Sequence, residues 1–168
     1  MPQTSPAKVK VKEIIHACLV VKNVWQTIEN YWNILGIGPW EVYSFEYPLV
    51  HERIYHGKPT WAREKLAMAK VGAINLELAQ PVEGDTIYSD FLREHGEGLH
   101  HLSFQVDDLA KVEKDLECFP SLQSARGGPQ GYDYIWSYSY LDIKPLGCIW
   151  EPTEIRPGPI GEPIRYPE

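Results

Sequence analysis

GEGLHHLSFQVDDL, residues 96–109, alternates large apolar side chains with polar ones over its middle part. The apolar positions are Leu102, Phe104 and Val106, and the positions between them are His101, Ser103 and Gln105. Side chains of a β-strand point alternately to its two faces. The pattern therefore predicts a half-buried strand that carries His101 on the face opposite the apolar side chains.

Three other runs place a histidine or a glutamate in a similar way. In IIHACLVV, residues 14–21, the apolar side chains at odd positions suit a core, and His16 occupies the other face. In AINLEL, residues 73–78, Glu77 points away from the apolar set, whereas Glu151 in GCIWE, residues 147–151, follows the alternation less regularly. We expect these three residues to meet His101 across one concave sheet.

The order His, Glu, His, Glu indicates an internal duplication. Residues 24–35 have apolar side chains at helical spacing before Gly36, and residues 107–117 show a second helical pattern after an acidic cap. Each helix precedes three strand-like runs. We predict an α+β fold of two βαβββ modules that form a curved, mostly antiparallel sheet cup.

The predicted boundaries follow the composition of the chain. They are an N-terminal extension (1–12), a first module (13–81), a connector with a short helix at about 87–94 (82–97), a second module (98–154) and a proline-rich C-terminal tail (155–168). The tail cannot form a regular helix. It is either extended along a surface or disordered.

His16, Glu77, His101 and Glu151 together form a plausible ligand set for one divalent metal ion: Co, Mn, Ni, Zn or Fe. Taken alone, each has a simpler explanation, because a strand glutamate is usually solvated and a lone histidine is more often hydrogen-bonded in an interior. Their matching positions in two similar halves favour the metal site.

From about residue 13 to 154 the chain resembles the vicinal oxygen chelate superfamily, which includes glyoxalases, extradiol dioxygenases and bleomycin-resistance proteins. GEGLHHLSFQVDDL is similar to the double-histidine strand of methylmalonyl-CoA epimerase-like members, and NLELAQP, residues 75–81, to the strand that ends their first half. The resemblance implies His101, not His100, as the ligand.

The resemblance also implies a reaction. The metal polarises a carbonyl, and a proton moves to or from the neighbouring carbon. Glu151 corresponds to a ligand implicated in that proton transfer, and a second base belongs to a strand of the first half, where Glu64 is the candidate. The implied substrate is a small oxygenated molecule, such as an acyl-CoA thioester. We also expect a homodimer.

Two other functions remain open. A glyoxalase I-like lyase, acting on a thiol conjugate of a 2-oxoaldehyde, would use the same four ligands. A non-catalytic member would bind a small molecule in the same cup. An extradiol dioxygenase is disfavoured, because a fourth protein ligand would occupy a position that oxygen or catechol needs.

The run YDYIWSYSY, residues 132–140, has an aromatic residue at every even position. This strand is either a packed sheet surface or an aromatic wall of the substrate cup. In the second case it contributes substrate-binding residues, and the candidates are Tyr134, Trp136 and Tyr138 together with Ser103 and Gln105.

Composition excludes several classes. The net charge is −7 and no basic stretch offers a phosphate footprint, which argues against nucleic-acid binding. The three cysteines lack metal-ligand spacing and are expected to be reduced core thiols. We find no signal peptide and no run of membrane-spanning length, so we expect a cytoplasmic protein without membrane contact.

Overall fold

The computed structural model describes residues 6–167. Eleven strands, three α-helices and one 3₁₀ turn follow one another along this part of the chain. They are β1 (Ile14–Val20), α1 (Val24–Leu35), β2 (Trp40–Phe45), β3 (Val50–Tyr55), β4 (Lys58–Pro59), β5 (Arg63–Val71), β6 (Ile74–Glu83), α2 (Ile87–His95), β7 (Gly98–Val106), α3 (Leu109–Asp115), β8 (Ser121–Gly127), β9 (Trp136–Asp142), the 3₁₀ turn (Lys144–Leu146), β10 (Ile149–Ile155) and β11 (Ile164–Tyr166).

All eleven strands belong to one curled sheet, in the order β11-β2-β5-β6-β1-β7-β10-β9-β8-β3-β4. Strands β1 and β7 pair antiparallel at its centre, and each has a parallel partner on its other side, β6 for β1 and β10 for β7. The remaining pairs are antiparallel. The predicted α+β class with a curved, mostly antiparallel sheet is confirmed.

Two similar units make up this sheet. The first consists of β1, α1, β2, β5 and β6, and the second of β7, α3, β8, β9 and β10. The hairpin β3–β4 is inserted in the first unit, but β3 pairs with β8 at the edge of the second. Alternation of side chains does not show which strand a run will pair with, so this crossing could not be predicted from the sequence pattern.

Local sequence determines where the helices begin and end. The Asn23 side chain caps α1 by accepting a hydrogen bond from the Gln26 N–H, and Gly36 ends the helix with a φ of 66°. Asp108 caps α3 in the same way. Both helices pack on the outer face of the sheet, where α1 buries Val24 and Ile28.

The concave face has its own apolar core. Tyr43, Phe45, Trp136, Tyr138 and Tyr140 are buried there with Ile87 and Tyr88 of α2, the connector helix. The inner surface is therefore lined with aromatic rings and partly filled by α2. The proline-rich tail contains β11, which pairs with β2 at the far edge of the sheet. No helix within residues 6–167 is long and apolar enough to cross a membrane.

Gly127 of β8 lies in a tightly packed part of the concave core, which a substitution can probe. A Cβ at this position would lie 2.1 Å from the Leu49 carbonyl oxygen and 2.6 Å from the Trp136 ring. We predict that Gly127→Ala lowers the free energy of unfolding by about 1–3 kcal/mol. Gly98→Ala is the matched strand control, because its Cβ would meet no atom within 4 Å. Urea denaturation compares the variants, and equal stabilities would contradict the prediction.

Candidate metal centre

Four neighbouring strands each supply one residue to a cluster on the concave face. His16 lies on β1 and His101 on β7, the two central strands, while Glu77 lies on β6 and Glu151 on β10. Glu77 pairs with Cys18, two residues after His16. Glu151 pairs with Ser103, two residues after His101. The two halves thus place equivalent residues at equivalent positions.

Two β-bulges lie in the β1–β7 pairing, each immediately before a cluster histidine. The register skips Ile15, which precedes His16, and it also skips His100, which precedes His101. A bulge interrupts strict alternation. Strict alternation would put His100 on the outer face with Leu102, but the bulge turns it to the inner face. It packs against Tyr88 and Phe91 of α2, and its Nδ1 lies 2.9 Å from Nδ1 of His101.

The donor atoms of the two glutamates lie close to both imidazole nitrogens. His16 Nε2 lies 3.1 Å from His101 Nε2. Glu151 Oε2 lies 2.8 Å from His16 Nε2 and 3.3 Å from His101 Nε2, and Glu77 Oε2 lies 3.3 and 3.5 Å from the same nitrogens. Two donors about 2.1 Å from one ion are about 3.0 Å apart at right angles and about 3.4 Å apart at tetrahedral angles. The observed separations match this spacing.

The bonding of the carboxylates also fits a cation. Glu77 Oε2 and Glu151 Oε2 are buried, and each contacts the imidazole nitrogens of His16 and His101. Two carboxylates buried side by side are costly unless positive charge lies between them. The ligand atoms of His16, Glu77 and His101 alone lie within 4.8 Å of one another, so these residues could hold a metal ion.

The charges in the cluster depend strongly on one another. Burial lowers the pKa of His101, but the negative charge of Glu151 and a contribution from Glu77 outweigh it and raise that pKa to about 9. The pKa of His16 is raised by the same two carboxylates against the effect of burial. Burial raises the pKa of Glu151, and the two imidazoles more than reverse this, so it lies well below its usual value.

Glu64, the candidate second base, lies elsewhere on the concave face. It belongs to β5, is fully buried, and accepts a 2.6 Å hydrogen bond from Arg53 Nη2. Burial raises the pKa of Glu64 to about 7, although Arg53 opposes the shift; the charge of Glu77 adds to it.

The structure brings only some of the candidate substrate-binding residues into the cup. Trp136 and Tyr138 belong to its buried core. The Ser103 hydroxyl is within hydrogen-bonding distance of Thr153 Oγ1 and donates to the Glu151 carbonyl, so it links strands β7 and β10. Gln105 is exposed near the end of β7. Tyr134 precedes β9 and stacks with the Arg156 guanidinium, outside the cup.

Three side chains adjoin the cluster, and the sequence analysis identified neither Tyr140 nor Tyr88 among them. The Tyr140 ring centroid is 4.8 Å from that of His101, and Tyr88 stacks on His101 while its hydroxyl bonds to Tyr140. The even-position pattern of residues 132–140 could have indicated Tyr140, but no pattern indicated Tyr88. The third neighbour, His100, borders a groove of about 620 Å³ beside α2, which Ile87 and Phe91 also line.

The fold is a half-barrel of two βαβββ units, and His16, Glu77, His101 and Glu151 lie at its centre. The chain belongs to the glyoxalase/bleomycin resistance protein/dioxygenase superfamily, whose family model matches residues 15–118. No curated protein sequence shows significant similarity to it.

Solved structures share the fold at low sequence identity. A variant of Streptomyces coelicolor methylmalonyl-CoA epimerase, in complex with 2-nitronate-propionyl-CoA, has a TM-score of 0.63 at 21% identity, covering 89% of this chain and 100% of that one. Methylmalonyl-CoA epimerase from Mycobacterium tuberculosis has a TM-score of 0.57 at 22% identity, covering 91% and 94%. A hypothetical protein from Bacillus halodurans has a TM-score of 0.60 at 16% identity, covering 88% and 96%.

The burial of Glu64 predicts a pH dependence of stability. Its pKa is about 7 in the folded protein and 4.5 when unfolded, so the folded state binds this proton more tightly. Raising the pH from about 4.5 to about 7 should therefore cost about 2–4 kcal/mol of unfolding free energy through this group. Glu64→Gln should remove that loss, and exposed Glu52→Gln should retain it. Identical pH profiles for all three proteins would contradict the assignment.

The two adjacent histidines should differ in their effect on metal binding. His101→Ala removes a donor from the cluster, so the purified variant should not retain metal at stoichiometric concentration. His100→Ala removes only a group that orients the His101 ring, so metal should still bind, about 10- to 100-fold more weakly, at a stability cost of about 1–3 kcal/mol. Metal titration distinguishes the variants. Loss of the site in His100→Ala with retention in His101→Ala would reverse the assignment.

Proposed function

We propose that the protein is a metal-dependent enzyme of the epimerase or isomerase type, which moves a proton on the carbon beside a carbonyl. The observation that carries this proposal is the buried group of His16, Glu77 and His101, whose ligand atoms lie within 4.8 Å of one another, with Glu151 Oε2 2.8 Å from His16 Nε2. Such a set suits a divalent transition metal.

His16, Glu77, His101 and Glu151 would hold the ion. When bound, the ion would polarise a substrate carbonyl and stabilise negative charge on its oxygen. The protein's own part is to exclude water and to fix the substrate. Tyr88 and Tyr140 pack against His101 and close the cup around it.

Proton transfer requires an acid–base group near the reacting carbon. Glu151 is our first candidate because it lies in the cluster, where any substrate bound there would contact it. Glu64 is the second candidate, because its pKa of about 7 suits a group that accepts and donates a proton near neutral pH. These carboxylates come from opposite halves of the sheet, and Glu64 lies four residues along β5 from Met68, the strand partner of Glu77. Glu64 would therefore act only on a substrate that extends from the cluster along β5.

The substrate class is proposed more narrowly from the structural neighbours. Their complex with 2-nitronate-propionyl-CoA supports a 2-substituted acyl-CoA thioester as the first substrate to test. Polar and apolar side chains line the 620 Å³ groove beside α2, among them His100 next to the cluster, and this groove would suit the remainder of such a molecule. A cytoplasmic homodimer remains part of the same proposal.

The decisive test is isotope exchange. The metal-loaded protein, incubated with a 2-methyl-branched acyl-CoA in deuterated water, should introduce deuterium at C2, and a chelator should abolish the exchange. Glu151→Gln should slow exchange by at least about 100-fold. Glu83→Gln, at an exposed carboxylate, should leave it unchanged.

Three other results of these experiments would contradict the proposed function. Exchange that continues unchanged with chelator would exclude the metal mechanism. Glutathione-dependent turnover of methylglyoxal, without exchange of acyl-CoA, would indicate the lyase. Protein that purifies without metal and binds ligand without turnover would indicate a binding role.

A further inference from the structure

A thiol lies next to the metal centre on the concave face. Cys18 follows His16 by two residues on β1, so the two side chains share one face of this strand. Cys18 is fully buried and belongs to the concave core that also contains Val20, Tyr88 and Tyr140. The thiol is therefore shielded from solvent and adjoins the cluster.

The sheet places Cys18 between two cluster residues. Its partner on β6 is Glu77, and its partner on the antiparallel strand β7 is His101. The Cys18 thiol is hydrogen-bonded to the Glu77 carboxylate, and its Sγ also lies 3.7 Å from the Leu19 carbonyl oxygen. A thiol carries a single hydrogen, and the charged carboxylate is the stronger of these two acceptors. Cys18 thus donates to a carboxylate of the cluster.

Glu77 is the more loosely held of the two cluster carboxylates. Its Oε2 lies 3.3 Å from His16 Nε2 and 3.5 Å from His101 Nε2. The corresponding distances for Glu151 Oε2 are 2.8 and 3.3 Å. Carboxylates that bind metal ions are in turn oriented by hydrogen bonds from neighbouring groups. Cys18 supplies such a hydrogen bond to Glu77.

The second unit has a hydroxyl at the equivalent position. Ser103 lies opposite Glu151 of β10, two residues after the histidine of its own strand, and is the counterpart of Cys18. The Ser103 hydroxyl donates to the main-chain carbonyl of Glu151 rather than to its carboxylate. The two units therefore share the position, but the thiol and the hydroxyl make different contacts.

We propose that Cys18 is a positioning residue of the metal centre. Its S–H group donates to the Glu77 carboxylate and holds it in the orientation in which Oε2 faces the two imidazole nitrogens. Without this hydrogen bond the carboxylate can rotate away from them, so an ion would be bound more weakly. This inference rests on the proposed function, because it takes Glu77 as a metal ligand.

Titration of the purified full-length protein with Co²⁺ tests the role of the hydrogen bond. Cys18→Ala removes the donor and should weaken Co²⁺ binding about 10- to 100-fold. Cys18→Ser keeps a donor at the same position, so it should recover most of the lost affinity. This recovery separates a hydrogen bond from the mere volume of the side chain.

Two further variants are matched controls. Val20 is also fully buried on the concave face of β1, two residues beyond Cys18. Val20→Ala should lower the free energy of unfolding but leave the Co²⁺ affinity unchanged. Cys118→Ala removes an exposed thiol and should change neither quantity.

Two spectra report on the thiol without any measurement of activity. The visible bands of bound Co²⁺ should change in Cys18→Ala and return in Cys18→Ser, and no sulfur-to-cobalt charge-transfer band should appear in the original protein. The second spectrum needs no metal. When the other two cysteines are replaced by serine, the infrared S–H stretching band of Cys18 should move to higher frequency in Glu77→Leu, which lacks the acceptor.

Every result either supports the assignment or overturns it. Weaker binding in Cys18→Ala that Cys18→Ser recovers, with Val20→Ala unaffected, supports it. Equal affinities of Cys18→Ala and the original protein, an equal loss in Val20→Ala, or an S–H band that Glu77→Leu leaves in place overturns it. A sulfur-to-cobalt band also overturns it and makes Cys18 a ligand. An original protein that binds no Co²⁺ contradicts the proposed function as well, which distinguishes the two failures.

Discussion

The antiparallel pairing of β1 with β7, with its two bulges, is the constraint on which the site depends. It brings the two cluster histidines to adjacent strands, and their Nε2 atoms approach to 3.1 Å. The extra residue before each histidine shifts its register, so both rings point into the cup rather than past one another. The parallel partners β6 and β10 then add one glutamate each at equivalent rungs. Every other element packs around this arrangement: α1 and α3 cover the outer face, and α2 covers part of the inner one.

Electrostatics explains why such a cluster is suited to an ion. Four ionisable groups lie buried within a few ångströms, and burial opposes the charged form of each one. The carboxylates overcome this penalty for the imidazoles, as the raised pKa of His101 shows, and the imidazoles overcome it for Glu151. Protonated imidazoles therefore compensate for negative charge that a divalent cation would compensate more completely. Both carboxylate oxygens lie beside the imidazole nitrogens that would share such a cation.

The sequence predicted a large part of this arrangement, because local patterns encode local structure. The spacing of apolar residues predicted α1 at 24–35, as observed, and alternation placed three of the four cluster residues on one face. The sequence patterns did not predict features that depend on pairing between distant strands. Alternation cannot reveal a bulge, so His100 was expected on the outer face. Nor can it show that β3 leaves its own unit to pair with β8, about 70 residues away in sequence, and this pairing carries Arg53 into the cup.

The crossing of β3 also brings a buried ion pair into the cup. A half-barrel with an open side needs no buried ion pair, and replacing such a pair by apolar side chains of similar size is often neutral or stabilising. Arg53 and Glu64 instead meet across the open side, fully removed from solvent, with most of the guanidinium nitrogens unsatisfied. An apolar contact would join the two halves at lower cost. Each partner of the pair compensates the charge of the other, and Arg53 lowers the pKa of Glu64 against the effect of burial, which still leaves that pKa at about 7. The inserted hairpin therefore joins the two halves through a titratable contact, while the duplicated units supply the histidines and glutamates of the cluster.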